Sequence, residues 1–189
     1  MSTYCAIAPG HPVHGDYHEF EYGVPSRADE VLCERLALEI FQAGLSWEIV
    51  LRRRQGIREA FGGFAPAHVA ALGESGCAHL VTDPRVIRNR RKIEAIIANA
   101  EVMCGMIATY GSVAAWLDLH HPRSPEEWVR LFRGTFRFTG PEITREFLMS
   151  LGYLPGARAP DCPAHARIDT LGPPWRDAGH PHPTDKDPA

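Results

Sequence analysis

The stretch Leu38-Glu39-Ile40-Phe41-Gln42-Ala43-Gly44-Leu45-Ser46-Trp47 decides the fold. Reading back from it, Leu32, Leu36, Glu39 and Ala43 recur at helical spacing and share one face of a predicted helix. That face is apolar except at Glu39, and a lone carboxylate on a buried stripe is costly to keep charged. Gly44 tolerates the left-handed turn that ends many helices. Ser46 is placed to cap a second helix beginning at Trp47. The predicted corner brings an acid and a large aromatic close together. Glu39 has two readings here: a pocket acid, or a residue at the stripe's edge that reaches solvent or an arginine.

Outward from this corner the chain reads as a series of helices. Ser26-Arg27-Ala28-Asp29 has the outline of a capping box and opens the first helix. The second turns Trp47, Val50 and Leu51 inward and carries Arg52-Arg53-Arg54 near its end. Pro66 suits the first turn of a short helix, and residues 75–80 read as another. Residues 82–92 form a strongly basic hairpin, followed by a long helix whose stripe is Ile93, Ile96, Ile97, Ala100, Cys104 and Ile107. The amides and dipole at that helix's start suit a phosphate. Ser112 caps a short helix, and Ser124-Pro125-Glu126-Glu127 is a strong start signal for the next. An aromatic and basic connection covers residues 133–140. Pro141 begins a last helix with Ile143, Phe147 and Leu151 inward and Gly152 closing it. No alternating strand and no internal repeat are visible, so the expected fold class is all-α.

The two ends differ from this middle. Residues 1–25 hold no sustained period and read as irregular, with Cys5 and His18 as candidate metal ligands and His11 and His14 as alternates. Cys162-Pro163-Ala164-His165 supplies the second cluster that such a site needs. The expected organisation is one domain over residues 1–171: an irregular start to residue 25, helices over 26–152 and a metal-site segment over 153–171. Residues 172–189, rich in Pro, Gly, His and Asp, read as a disordered tail in which His180 and His182 are incidental.

Composition narrows the function classes. The chain has 189 residues, 44% hydrophobic and 23% charged, ordinary for a globular protein. Five scattered cysteines do not outline a disulfide framework. No apolar run is read as spanning a bilayer and no signal pattern opens the chain, so the expected location is cytoplasmic. A net charge of −3 excludes a general polycation, and any nucleic-acid site must be a local patch. The only lysines are Lys92 and Lys186.

These residues resemble the DNA-3-methyladenine glycosylase I family of the helix-hairpin-helix DNA glycosylase superfamily. The resemblance runs from about Cys5 to Cys162 and rests on specific strings. They are Tyr17-His18-(x2)-Glu21-Tyr22-Gly23, Glu39-(x2)-Gln42-Ala43-Gly44-Leu45-Ser46-Trp47, and Ile87-Arg88-Asn89-Arg90-(x)-Lys92-Ile93 with Ala95-Ile96-Ile97-(x)-Asn99-Ala100. Phe136-(x)-Phe138-(x)-Gly140 completes them. The resemblance implies that fold, with two helical lobes, and excision of 3-methyladenine from alkylated double-stranded DNA by a monomer. It places Glu39 on the pocket carboxylate and Tyr17 and Trp47 on pocket aromatics, with Tyr22 and Gln42 beside them as substrate-binding residues. Arg88, Asn89, Arg90, Arg91 and Lys92 fall on a DNA-backbone hairpin. Cys5, His18 and Cys162 fall on ligands of a structural zinc joining the termini.

The chain departs from the pattern twice. Ala6-Ile7 follow the first cysteine where the best-known members have Gly-Trp. The family's last two zinc ligands are a His and a Cys four apart, and counting back from Cys162 reaches Arg158. A guanidinium cannot ligate zinc. Either His165 supplies the fourth ligand or the metal is weak or missing.

The implied chemistry suits the residues. A 3-methylated adenine is cationic and its glycosidic bond already weak, so the enzyme must chiefly unstack and hold the base. A bifunctional lyase would need a nucleophilic amine, and with Lys92 in the hairpin and Lys186 in the tail a monofunctional glycosylase is expected. The alternative is a non-catalytic DNA-binding module of the same fold with a drifted pocket.

Overall fold

The computed structural model of the protein describes residues 3–177, and among these every regular element is helical. In chain order they are α1 (Thr3–Ile7), α2 (Gly15–Phe20), α3 (Asp29–Gln42), α4 (Trp47–Ala60), a 3-10 turn (Gly62–Phe64), α5 (Pro66–Ala71) and α6 (Gly73–Thr82). Then follow α7 (Arg90–Tyr110), α8 (Val113–His120), α9 (Pro125–Thr135), α10 (Pro141–Ser150), α11 (Pro163–Thr170) and α12 (Pro174–Asp177). Two compact units divide the chain: a central one, Ser26–Thr144, and a terminal one made of the residues up to Pro25 together with those from Arg145 onward.

In the central unit α3 packs against α4, α5, α7, α8 and the 3-10 turn. Enclosed this way, it is buried at every residue from Leu32 to Phe41 and not along a single stripe. Its polar side chains must then find partners inside. Glu34, 1% exposed, accepts from Arg54 at 2.9 Å and from Arg58 at 2.6 Å, both on α4. The arginine run is therefore not near the end of its helix: α4 continues to Ala60 and Arg54 turns inward from its middle. The capping box at Ser26 does not form either. Ala28 stands at the cap position, and the Asp29 carboxylate instead accepts from the Val113 amide at 2.8 Å, tying the start of α3 to α8.

The capping expectations at Ser46, Ser112 and Ser124 are met, the last as a full capping box. By length and composition alone α7 could cross a bilayer. Its apolar face is instead buried against α3, α5, α6 and α8, the position of a core helix.

The terminal unit corrects two expectations. Residues 1–25 are not wholly irregular, since α1 and α2 lie there, each too short for a hydrophobic period to register. The tail read from residue 172 includes α12, and α10 is followed by α11 rather than closing the helical part. His180, His182 and Lys186 lie outside the described residues.

Candidate active site and nucleic-acid interface

Glu39 lies one turn before the end of α3 and is 5% exposed. The helix ends through Ala43, and Gly44 turns the chain at φ +80°, a backbone conformation open to glycine and unfavourable for most other residues. Gln42 donates to the Leu45 carbonyl at 3.2 Å, across the turn. The Ser46 hydroxyl accepts from the Ile49 amide at 3.4 Å, which launches α4 with Trp47, half-buried, as its first residue. Acid and aromatic are thus fixed on either side of a short, internally bonded corner.

Lys92 secures that corner from α7. Its side chain is 5% exposed, and Nζ donates to the Phe41 carbonyl at 2.8 Å and to the Ala43 carbonyl. These are orphan carbonyls at the end of α3, where a cation also meets the negative end of the helix dipole. Burial pushes the ammonium's pKa down, while the paired carbonyls hold its protons. The geometry therefore takes Lys92 out of the expected phosphate-contact set, because its charge is used inside the fold.

The rest of the basic connection divides similarly. Arg85 binds Asp83 at 2.7 Å, and its hydrogen bonds hold the Asp83 pKa down to about 2. Arg90 meets Glu74, 16 residues away in sequence, at 2.9 Å and Glu94, one turn further along α7, at 3.3 Å. Asn89 caps α7 by accepting from the Lys92 amide at 3.3 Å. Arg88 and Arg91 are exposed and make no side-chain hydrogen bond or ion pair among the described residues.

A second basic corner went unassigned in the sequence reading. Between α9 and α10, buried Asn99 of α7 clasps the Arg137 backbone, accepting from its amide at 2.7 Å and donating to its carbonyl at 3.0 Å. The Thr139 hydroxyl is within 3.1 Å of the Phe132 and Phe136 carbonyls. Held this way, Phe138 sits at φ +61° and is 43% exposed, with Arg133 and Arg137 exposed nearby in sequence. A bulky residue in the left-handed region costs about 1–3 kcal/mol and marks a functional candidate. The Phe-x-Phe-x-Gly string together with Asn99 was the available signal.

The terminal unit brings Cys5, His18 and Cys162 together as a buried cluster whose ligand atoms lie within 4.8 Å of one another and could hold a metal ion. His18 Nε2 is 3.6 Å from the Cys162 sulfur. Burial first, then the charge of Arg158, lowers the His18 pKa, and burial raises that of Cys162. His165 does not join them. Pro163 opens α11 immediately after Cys162, and His165 on that helix lines a separate small cleft with Gly23, Met149, Asp169 and Trp175. Tyr17 is buried with its ring 5.9 Å from that of Tyr22. Tyr22 donates its hydroxyl to Glu146 at 2.8 Å and accepts at its backbone carbonyl from Arg158 at 2.7 Å.

This all-helical architecture is that of the 3-methyladenine DNA glycosylases I. A structure of that protein from Staphylococcus aureus, solved for the basis of 3-methyladenine recognition, superposes with a TM-score of 0.74 at 28% identity, covering 85% of this chain and 95% of that one. A Tyr-to-Phe variant of a 3-methyladenine DNA glycosylase I in complex with 3-methyladenine gives 0.76 at 27% identity, covering 85% and 96%. The sequence pattern of the methyladenine glycosylase family matches residues 7–131, and the chain belongs to that family. DNA-3-methyladenine glycosylase 1 of Escherichia coli (strain K12) is 42% identical over 102 residues, 54% of each chain. The chain spans about half the length of the curated relatives it matches.

Proposed function

We propose that this protein excises 3-methyladenine from alkylated duplex DNA by hydrolysing the N-glycosidic bond, without lyase activity, as a cytoplasmic monomer. The observation that carries the reading is Glu39: a buried carboxylate on the last turn of the central helix, at a corner locked by Lys92, in a chain of this family.

The positive charge on the methylated base weakens its bond to the sugar, so the work is flipping and holding it. Ionised Glu39 accepts hydrogen bonds from the exocyclic amine and balances the charge. Neutral adenine brings no positive charge to meet the carboxylate and is bound less tightly. Trp47 supplies stacking and cation–π attraction, and Tyr17, Gln42 and Tyr22 keep the substrate-binding roles that the resemblance gives them. Lys92, with its ammonium engaged by carbonyls, is a poor candidate for the amine that a lyase needs. Arg88 and Arg91 make the phosphate contacts at one connection, with Arg90 and Asn89 beside them. Arg133, Arg137 and Phe138 face DNA at the other. A zinc ion in the terminal cluster would be held by Cys5, His18 and Cys162 and plays no part in the chemistry.

Incubation with methylated duplex, followed by chromatography of the released bases, tests this. Free 3-methyladenine, with strands intact until alkali cleaves the abasic sites, is the expected result. Duplex binding without base release would instead establish the non-catalytic binding module.

A further inference from the structure

Arg158 lies where the family pattern has a zinc-ligating histidine, four residues before Cys162. It has not turned out to solvent: the residue is 3% exposed. Its Nη2 donates to the Tyr22 carbonyl at 2.7 Å, and its guanidinium carbon stands 5.4 Å from the centre of the same residue's ring. Tyr22 is held at its other end by Glu146 of α10. Gly23 follows at φ +83°, where an added Cβ would come within 2.9 Å of the Ala157 side chain, so the two strands of chain approach as closely as glycine allows. One guanidinium therefore fastens the segment around residue 22 to the segment around residue 158, across 136 residues of sequence.

That is the job of a structural zinc at the termini, which closes its shell with four protein ligands. The cluster here offers three, Cys5, His18 and Cys162, and His165 is not within reach of them. The histidine also lacks its usual support. A ligating imidazole normally donates its second nitrogen to an acceptor, yet His18 Nδ1 is buried with no hydrogen-bond partner among the described residues. A fixed positive charge beside the cluster opposes a cation further. The donor set does not fit a closed four-ligand zinc centre.

We propose that Arg158 replaces both the fourth ligand and its cross-linking role, so that the terminal unit is fastened by the Arg158–Tyr22 contact and any zinc at Cys5, His18 and Cys162 is exchangeable and dispensable for the fold. The inference rests on reading those three residues as a metal cluster and is independent of the glycosylase reading, which base release tests separately.

Untagged wild type, R158H and R158K are loaded with zinc and dialysed against a mild chelator. Bound metal is then measured by mass spectrometry, and melting is recorded with and without EDTA. Wild type is expected to lose its zinc and to melt at the same temperature in both conditions. R158H restores the fourth donor. It is expected to keep about one zinc per chain, with affinity raised on the order of a hundredfold, and to melt lower once EDTA removes the ion. R158K keeps the charge but loses the planar stacking and is expected to melt lower than wild type regardless of zinc, a readout that survives even if R158H fails to fold. Wild type that retains stoichiometric zinc and is destabilised by EDTA would overturn the proposal. So would folded R158H without gained retention, or R158K as stable as wild type.

Discussion

In the central unit, order comes from a helix buried from Leu32 through Phe41, with four other helices around it and its buried Glu34 answered from α4. In the terminal unit the helices are short, and the fastening is done by single polar side chains: Arg158 on Tyr22, Tyr22 on Glu146, and the Cys5, His18 and Cys162 group. The first kind of order repeats along the chain and follows from burying apolar area. The second depends on a few residues far apart in sequence, each replaceable by another device with the same reach. On the proposal made for Arg158, a family can keep the first and alter the second.

The largest expected break is in the central unit. Glu34→Ala strands Arg54 and Arg58 beside a core position and should destabilise by about 3 kcal/mol, less than a fully buried pair because both arginines are partly exposed. Thermal or urea unfolding reads this directly. Lys92→Met is next. It leaves the Phe41 and Ala43 carbonyls without their donor and should cost about 2 kcal/mol, with base release falling further than stability alone explains because the Glu39 corner loosens. A variant that is as active as wild type would remove Lys92 from its positioning role.

In the terminal unit, Tyr22→Phe deletes one half-buried hydrogen bond to Glu146 and should cost about 1 kcal/mol, while the Arg158 contact to the carbonyl persists. A much larger loss would mean that the hydroxyl, not the guanidinium, is the principal fastening. Neutralising Arg88 and Arg91 should leave stability unchanged. It should weaken duplex binding alike for all sequences, flattening the logarithmic salt dependence by about 0.9 per lost phosphate contact. Loss confined to particular sequences would mean that these residues read bases.

The central unit was legible because helix periodicity, glycine and capping signals are local. The corner at Gly44 with its cap at Ser46 and the start of α9 at Ser124 follow from residues within a turn of one another. What escaped was set at a distance. Lys92 read as a hairpin cation because nothing nearby in sequence says that its stem points to the end of α3. Arg90 read as a backbone-hairpin cation, and its partner Glu74 lies 16 residues away in sequence. His165 had ligand-like spacing from Cys162, but spacing does not say which way a helix begun at Pro163 turns its third residue. Spacing left Glu39 between a pocket acid and a residue at the stripe's edge, and the complete enclosure of α3 was hidden because Glu34 and Arg35 masked it as an amphipathic helix.

The central claim is that the buried acid at the Gly44 corner holds the methylated base. Single-turnover release of 3-methyladenine from methylated duplex, with wild type beside Glu39→Gln at matched folding and matched duplex affinity, tests it most directly. The account predicts rapid release by wild type and loss of most of that rate in the variant, since the amide keeps the shape but not the charge that answers the cationic base. Equal rates for the two proteins would contradict it.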